Sequence, residues 1–413
     1  MRYAIIGPGP TGVVAAETLR AQDPDAEIDL YGDEPEPAYS RMAIPYLLAG
    51  DIEESGTYLR HKPGHFEAIG VRHIRDAVTR VDSAGRQLTL ASGATAGYDK
   101  LLIATGSRPV KPPVEGLNQP FIHHCWTLED ARLIAQEAHE GTRVVLLGAG
   151  FIGSIIMEAL VRRKVKLTVV ERGDRMVPRM MDQVSGNLIK QWCISRGVEV
   201  QTSTTINAVK PDPTGSARYL LATDHGDLAA DLVVVAAGIR PTIDFLEGSG
   251  VAIRNGVRVN EYLESSVPGI YAAGDVCEGL DWNTGHHAIH AIQPVAVEMA
   301  RLAALNMTGT KALYTGSLAM NVLDTLGLIA ASYGQWEGVD GGDSAELLDA
   351  PEYRYIKLQF DGDCLVGAIT LGLTQHVGVL RGLIQSRVRL GDWKLRLMQD
   401  PSRIMEAYLA CTQ

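Results

Sequence analysis

Cysteine is scarce in this 413-residue sequence, and the five present, Cys125, Cys193, Cys277, Cys364 and Cys411, lie far apart. They form no C-x-x-C or longer paired spacing, which argues against structural disulfides and a zinc ribbon. Long apolar runs are missing too. No stretch reaches the roughly 18 residues that a membrane helix needs. No charged leader with a long apolar region precedes the first strand-like run, "MRYAIIGPGP". The expectation is a cytoplasmic protein without a membrane partner. Net positive charge is also lacking: the chain carries −11, which speaks against nonspecific nucleic-acid binding, where Lys and Arg must neutralise phosphates. Aromatic residues are few at 6%, while glycine is plentiful at 43, a profile that suits α/β architecture with many tight turns.

The length suffices for two to three domains, each burying its own core. Hydrophobic residues at 46% and charged residues at 21% are ordinary for a globular protein. The charge is uneven. Between Val377 and Arg403 stand Arg381, Arg387, Arg389, Lys394, Arg396 and Arg403 against Asp392 and Asp400 alone, so this stretch is basic within an acidic chain.

An internal duplication organises the sequence. "YAIIGPGPTG" at 3–12 and "VVLLGAGFIG" at 144–153 are both apolar strand-type runs leading into G-x-G-x-x-G and then a helical stretch. "LLIATGSRP" at 101–109 and "LVVVAAGIRP" at 232–241 form a second matching pair at similar offsets. The glycine pattern has a steric reading. Gly7 and Gly148 permit a tight turn, Gly9 and Gly150 let backbone approach a pyrophosphate, and Gly12 and Gly153 let helix pack on strand. Each helix start then offers free N–H groups and partial positive charge to phosphates.

Acidic residues downstream indicate the ribose ends. Glu171 closes "LTVVE", 21 residues past Gly150, where a carboxylate accepts ribose hydroxyls and repels a 2′-phosphate. That favours NADH over NADPH, with Arg172 and Arg175 pulling the other way. After the first fingerprint, "EIDLYGDEPEP" offers Glu34 for the other ribose, with Asp33 as its rival.

"VPGIYAAGDV" at 267–276 identifies the nucleotides. With "GPGPTG", "ATGSRP", "GAGFIG" and "AAGIRP" it stands in an order that resembles the FAD- and NAD(P)-binding pyridine nucleotide-disulfide oxidoreductase superfamily over about residues 1–310. The resemblance implies an α/β fold with two Rossmann-like dinucleotide-binding domains of glutathione-reductase type and a C-terminal α+β interface domain. The FAD domain would be split, 1–112 and 241–312. The NAD domain, 113–240, would be inserted between its halves, and 313–413 would be the interface domain. By the same resemblance FAD belongs to the first fingerprint and NADH to the second. Asp275 would bond the ribityl chain, Thr105 and Gly106 would lie along FAD, Val78 would meet the adenine, and Gly238 would close on NAD. A helix opening within "NTGHHAIHAIQPVA" would aim its positive end at the flavin, favouring the anionic reduced form.

The segment "YSRMAIPYLLAG" at 39–50 departs from the family's thiol-using members, placing Met42 where a redox cysteine would stand. Methionine forms no thiolate. The family's cysteine pair and its histidine-proline motif are absent as well, which sets disulfide reduction aside. What remains resembles the cysteine-free branch: ferredoxin and rubredoxin reductases and the flavin module of NADH-dependent nitrite reductase. "YSR" implies that Arg41 runs along FAD. The Lys–Glu pair of many ferredoxin reductases falls here on Tyr46 and Ile155, so both charges are gone together, as a buried pair requires.

His286, His287 and His290 cluster near the expected flavin helix, with no cysteine or carboxylate in metal-site spacing close by; a local hydrogen bond is favoured over a metal or proton donor. Cys277, two residues past Asp275, is read as packing. "YRYIKLQFDGDCLVGAITLG" reads as two strands about an Asp-Gly turn, followed by basic helices. Their charge could dock an acidic iron-sulfur protein, although a merely solvated face is preferred.

The expectation is an FAD-dependent oxidoreductase that takes hydride from NADH and passes electrons to a ferredoxin, a rubredoxin or another redox subunit. No side chain is required as nucleophile or acid, no metal is expected, and a homodimer stays open. The alternatives are reduction of a small molecule such as a quinone or dioxygen, and an apoptosis-inducing-factor-like redox sensor.

Overall fold

The computed structural model describes residues 1–412 apart from Thr374 and His376. The chain divides into two compact units. One comprises Met1–Leu47, Ile52–Pro109 and Ile239–Ser317; the other comprises Leu48–Asp51, Val110–Gly238 and Leu318–Gln413.

The core of the first unit is a five-stranded parallel sheet. Its order is Ile270–Ala272, Lys100–Ile103, Arg2–Ile6, Glu27–Gly32, Val71–Arg75. The central strands read almost continuously apolar, "YAII" and "LLI", because helices shield both faces of such a sheet and no alternation with solvent survives. Helix Pro10–Gln22 follows the first strand, with proline in its first turn where a missing N–H does no harm. It packs against helix Gln293–Thr308. A three-stranded antiparallel sheet, Val78–Asp82, Gln87–Leu90 and Thr95–Gly97, is appended.

The duplication has a further consequence in this unit. The two Arg-Pro segments, Ser107–Pro109 and Ile239–Pro241, pair antiparallel with Arg240 opposite Arg108. They are the points at which the chain leaves the unit and returns to it.

The second unit repeats the parallel plan: Glu199–Gln201, Lys166–Val170, Arg143–Leu147, Leu232–Val235, Ile122–His124. Its C-terminal part is a five-stranded antiparallel sheet, ordered Met320–Thr325, Leu328–Gly334, Cys364–Leu371, Arg354–Asp361, Asp343–Asp349. The expected Asp-Gly hairpin is Arg354–Asp361 with Cys364–Leu371. Helices Val377–Gln385, Asp392–Gln399 and Ile404–Cys411 close one face of it over Leu380, Leu383, Leu397 and Ile404. Asp182 ties helix Gln183–Ser195 to the antiparallel sheet of this unit. It caps helix Gln183–Ser195 by accepting the Ser185 N–H at 2.9 Å, while its Oδ2 lies 2.8 Å from the Tyr355 hydroxyl and 3.3 Å from Lys357 Nζ.

Candidate functional site

In the first unit the strand order reverses between Arg2–Ile6 and Lys100–Ile103, and open α/β sheets bind ligands beyond the carboxyl ends at such a point. Gly7 sits there at φ 111°, where a Cβ would stand 2.3 Å from Ala104 O. A Cβ on Gly12 would come within 1.9 Å of Gly7 O. By contrast, Gly9 and Gly106 have nothing within 4 Å of the Cβ position, so their backbone borders open space. Gly9 is the N-cap of helix Pro10–Gln22 and supplies no side-chain cap, which leaves the helix's first N–H groups for a ligand.

Asp275 stands at the same edge. Its residue neighbour Gly274, at φ 78°, touches the fingerprint helix so closely that a Cβ would meet Thr11 Oγ1 at 2.5 Å. The Ser107 hydroxyl donates to Asp275 Oδ2 at 2.8 Å. Burial pushes the Asp275 carboxyl above the usual range, opposed by that bond and by the nearby Arg41 guanidinium. Thr105 Oγ1 donates to Thr242 O at 2.8 Å, and the Thr242 N–H donates to Gly106 O at 3.0 Å. Open glycines beside an uncapped helix, with a buried acceptor carboxylate, fit an elongated dinucleotide carrying phosphates and hydroxyls, as FAD does.

Glu34 and Arg41 come together in an ion pair of 2.5 Å, with the Tyr39 hydroxyl donating to Glu34 at 2.5 Å and accepting from Arg41 at 2.7 Å. Asp33 is exposed. Val78 opens its strand, half-buried against the core of the unit. Helix Gln293–Thr308 begins inside the predicted window, and the Ser40 hydroxyl donates to Gln293 Oε1 at 2.6 Å. Met42 and Tyr46 are 51% and 59% exposed in short helices after Arg41, an apolar surface without a thiol.

The second unit builds the same crevice. Gly148 has φ 104° and an added Cβ would lie 2.4 Å from Ala236 O; on Gly153 it would lie 2.1 Å from Gly148 O; around Gly150 there is open space. Glu171 directly follows strand Lys166–Val170. Its carboxylate accepts the Ala149 N–H at 2.7 Å and the Gly173 N–H at 2.6 Å, which aims it into the fingerprint loop. Gly238, at φ 108°, also has open space at its Cβ position, and its carbonyl accepts the Val110 N–H at 2.9 Å. These residues fit the pyrophosphate and ribose of a second dinucleotide.

Ser107, Thr11, Tyr39 and Gln293 were not among the expected site residues. Ser107 directly follows Thr105-Gly106 in the strand-end motif, Thr11 lies inside the first fingerprint and Tyr39 stands two residues before Arg41, each a local signal; Gln293 depends on its contact with Ser40 across the fold. All five cysteines are free, and burial raises the thiols of Cys125, Cys193 and Cys277, so Cys277 packs in the core. His287 Nε2 lies 3.1 Å from Val259 O, 28 residues away along the chain and so not the local bond expected, and His290 faces a carboxylate, Asp281, that spacing alone does not reveal. Among the described residues no three His, Cys, Asp or Glu side chains form a metal-binding group. In the basic C-terminal helices, Lys394 pairs with Asp343 at 2.6 Å and Arg403 with Glu406. Part of that positive charge is therefore neutralised locally. No helix among the described residues is long and apolar enough to cross a membrane.

Comparison with known proteins places this geometry. The family described as pyridine nucleotide-disulphide oxidoreductase matches residues 1–296. The chain is 28% identical over 404 residues to the NADH-dependent phenylglyoxylate dehydrogenase subunit epsilon of Aromatoleum evansii, spanning 97% of this chain and 95% of that protein. It is 30% identical over 318 residues to the anthranilate 1,2-dioxygenase system ferredoxin–NAD(+) reductase component of Burkholderia cepacia, spanning 76% of this chain and 77% of that one. The crystal structure of the covalent putidaredoxin reductase–putidaredoxin complex superposes with a TM-score of 0.89 at 22% identity. It covers 100% of this chain and 99% of that one, a likeness of fold.

Proposed function

The chain belongs to the pyridine nucleotide-disulphide oxidoreductase family and is an FAD-dependent NADH oxidoreductase; from that premise we propose how its residues divide the work and what accepts its electrons. FAD occupies the first unit, along Gly7, Gly9, Gly12, Thr105, Gly106 and Asp275, with Glu34 and Arg41 toward the adenosine side and Val78 near the adenine. NADH occupies the second unit, along Gly148, Gly150, Gly153, Glu171 and Gly238. The corresponding domains are 1–112 with 241–312, 113–240, and 313–413.

Bound FAD accepts hydride and releases electrons singly, which is the cofactor's chemistry; the protein supplies position and electrostatics. The acceptor is a separate electron-transfer protein of iron-sulfur or rubredoxin type, or another redox subunit. The observation that carries this reading is the combination of two built nucleotide crevices with a buried Cys277 beside the first and with Met42 at the exposed position beside Arg41. Similarity to a dehydrogenase subunit along nearly the full length of both chains, and to a ferredoxin reductase component over about three quarters of each, supports a protein acceptor.

The test is anaerobic. NADH and NADPH are mixed in parallel with the purified flavoprotein, flavin bleaching is followed, and candidate iron-sulfur proteins are then added. Bleaching within seconds, faster with NADH, followed by reoxidation on adding the carrier, is the expected outcome. Steady NADH consumption in air with no protein partner would replace the acceptor with a small molecule. Slow turnover with every acceptor, together with an NADH-dependent change of size on a sizing column, would replace it with a redox-sensing role. The same column reads whether the protein is a homodimer.

A further inference from the structure

The segment between the Asp275 edge and the helix at Gln293 holds a buried contact between His290 and Asp281 that the proposed function leaves unused. Strand Cys277–Leu280 turns back to pair with His287–Ala288, and Asp281 stands at the turn. Its Oδ1 accepts the N–H groups of Asn283 and Thr284, at 3.0 and 2.8 Å, and the Thr284 hydroxyl at 3.0 Å. Its Oδ2 is thereby left facing His290 Nε2 at 3.3 Å, an ion-pair distance with an alignment short of a hydrogen bond, and both side chains are 7% exposed. Burial works to raise the Asp281 carboxyl, but His290 and Thr284 outweigh it and hold the group below the usual range. The pocket is closed by the departing chain. The Trp282 N–H donates to Ser317 O at 3.0 Å, the Ser317 N–H to Leu280 O at 3.2 Å, and the Tyr314 hydroxyl to Ser317 Oγ at 2.8 Å.

On its other side the segment runs directly into helix Gln293–Thr308. The Ile292 N–H closes a tight turn onto His290 O at 2.9 Å. Ile292 is the N-cap and has no polar side chain to offer, Pro294 has no N–H, and the Gln293 amide oxygen is already engaged by Ser40. The helix end therefore keeps its positive partial charge unneutralised by any cap. His290 precedes Gln293 by three residues, a span of at most about 11 Å along the chain. At such a separation charges inside a protein are weakly screened.

We propose that His290 and Asp281 act as an imidazolium–carboxylate pair that positions the flavin site, fixing the course of the chain into helix Gln293–Thr308 and keeping the net charge behind that helix end at zero. The pair touches no reacting atom. It acts through the helix, whose positive end favours the negative charge that bound FAD gains on reduction, so the flavin midpoint potential follows the balance of the two side chains. This rests on the reading that FAD occupies the first unit.

The experiment measures flavin midpoint potentials by anaerobic dye-coupled titration on flavin-loaded wild type, H290Q, D281N and H290Q/D281N. FAD content and visible circular dichroism are recorded in parallel. Asn keeps the oxygen that Asn283 and Thr284 bond, so D281N preserves the turn. H290Q leaves an unpaired buried carboxylate and is expected to lower the potential; D281N leaves the imidazole alone and is expected to raise it; the double variant returns to wild type. Shifts of the same sign in both single variants, or none in either, would overturn the proposal, because a purely structural pair loses flavin affinity without opposite electrostatic signs. If D281N does not retain flavin, H290Q and the double variant decide: return toward wild type supports the pair, and no return overturns it. Wild-type protein that binds no flavin would instead overturn the placement of FAD on which the proposal rests.

Discussion

The two nucleotide crevices invite comparison residue by residue. Gly7 and Gly148 share φ values of 111° and 104°, and the N-cap glycines Gly9 and Gly150 have φ, ψ of −72°, −175° and −73°, −172°. The amides of Gly7 and Gly148 donate to Tyr31 O and Val170 O, each at 2.8 Å. That register makes Gly32 the counterpart of Glu171. In the first unit Gly32 abuts the Pro8 ring, so that a Cβ would lie 2.5 Å from its Cγ. In the second, Ala149 replaces Pro8 and gives its N–H to Glu171 at 2.7 Å. One frame thus serves two ends: a proline that needs no acceptor sits beside a glycine, and an alanine that needs one sits beside a carboxylate. The first unit obtains its acid two residues later, at Glu34, where Arg41 and Tyr39 hold it.

The largest test of this equivalence lies at the helix-packing glycines. A Cβ on Gly12 or Gly153 would stand 1.9 or 2.1 Å from a backbone carbonyl oxygen, which the chain cannot yield without moving the turn. Each Gly→Ala change is expected to cost about 3 kcal/mol, at the upper end for overpacking. The functional losses should differ. G12A purifies without flavin, whereas G153A keeps its flavin spectrum and is not bleached by NADH. G153A that purifies without flavin, or G12A that keeps its flavin but is not bleached by NADH, would break the assignment of the two crevices.

Glu171→Ala comes next. It removes a charged acceptor for ribose hydroxyls and frees the Ala149 N–H, for which about 2 kcal/mol is expected, or a rise of roughly 30-fold in the NADH concentration for half-maximal flavin reduction. FAD content should not change, and NADPH should lose less than NADH. An unchanged NADH response would remove Glu171 from the site.

Much of this contrast is legible in the chain. The fingerprints, the repeated Arg-Pro segments and the strand before Asp275 are visible because a glycine that must reach φ near 110° or admit a close carbonyl is a local demand. Glu171 was equally local, one residue past its strand. Ser107 on Asp275, Ser40 on Gln293 and the pairing of 107–109 with 239–241 were not, since each joins positions more than 100 residues apart. Gly32 carries no sequence signal of its own; its need appears only where the Pro8 ring fills the space that its side chain would take. The histidine cluster was seen, but its partner was missed, because Asp281 reaches His290 only after the chain doubles back through a hairpin.

A smaller effect with a definite sign is expected at Asp275. Burial raises its carboxyl, so the folded flavin-free protein holds that proton more tightly than the unfolded chain does. Its contribution to stability is present below the ordinary carboxylate range and is lost as pH rises through the folded value. Asp275→Asn should therefore raise the melting temperature of the flavin-free protein by a few degrees at neutral pH, with the gain vanishing in acid. It should also weaken FAD binding about 10-fold as the carboxyl group that bonds the ribityl chain is lost. A variant whose flavin-free form melts lower at neutral pH than wild type would contradict the burial argument.

The finest comparison exchanges the device itself. Ala149→Pro places in the second crevice the residue that the first already carries, and the matched glycine geometry on either side means the backbone can accept it, while loss of the Ala149 N–H bond to Glu171 costs about 1–3 kcal/mol of stability. A further cost should appear in the ligand. Proline has no N–H for Glu171, and its ring would project toward the carboxylate as the Pro8 ring projects toward Gly32. NADH binding should weaken a few-fold while FAD content stays unchanged. Adding Glu171→Gly reproduces the Pro8–Gly32 pairing and relieves the crowding, yet it cannot restore the lost ribose acceptor. The double variant should therefore regain stability without regaining NADH affinity. If A149P binds NADH as wild type does, the Ala149 bond only steadies an empty loop, and Glu171 meets the nucleotide without needing to be held.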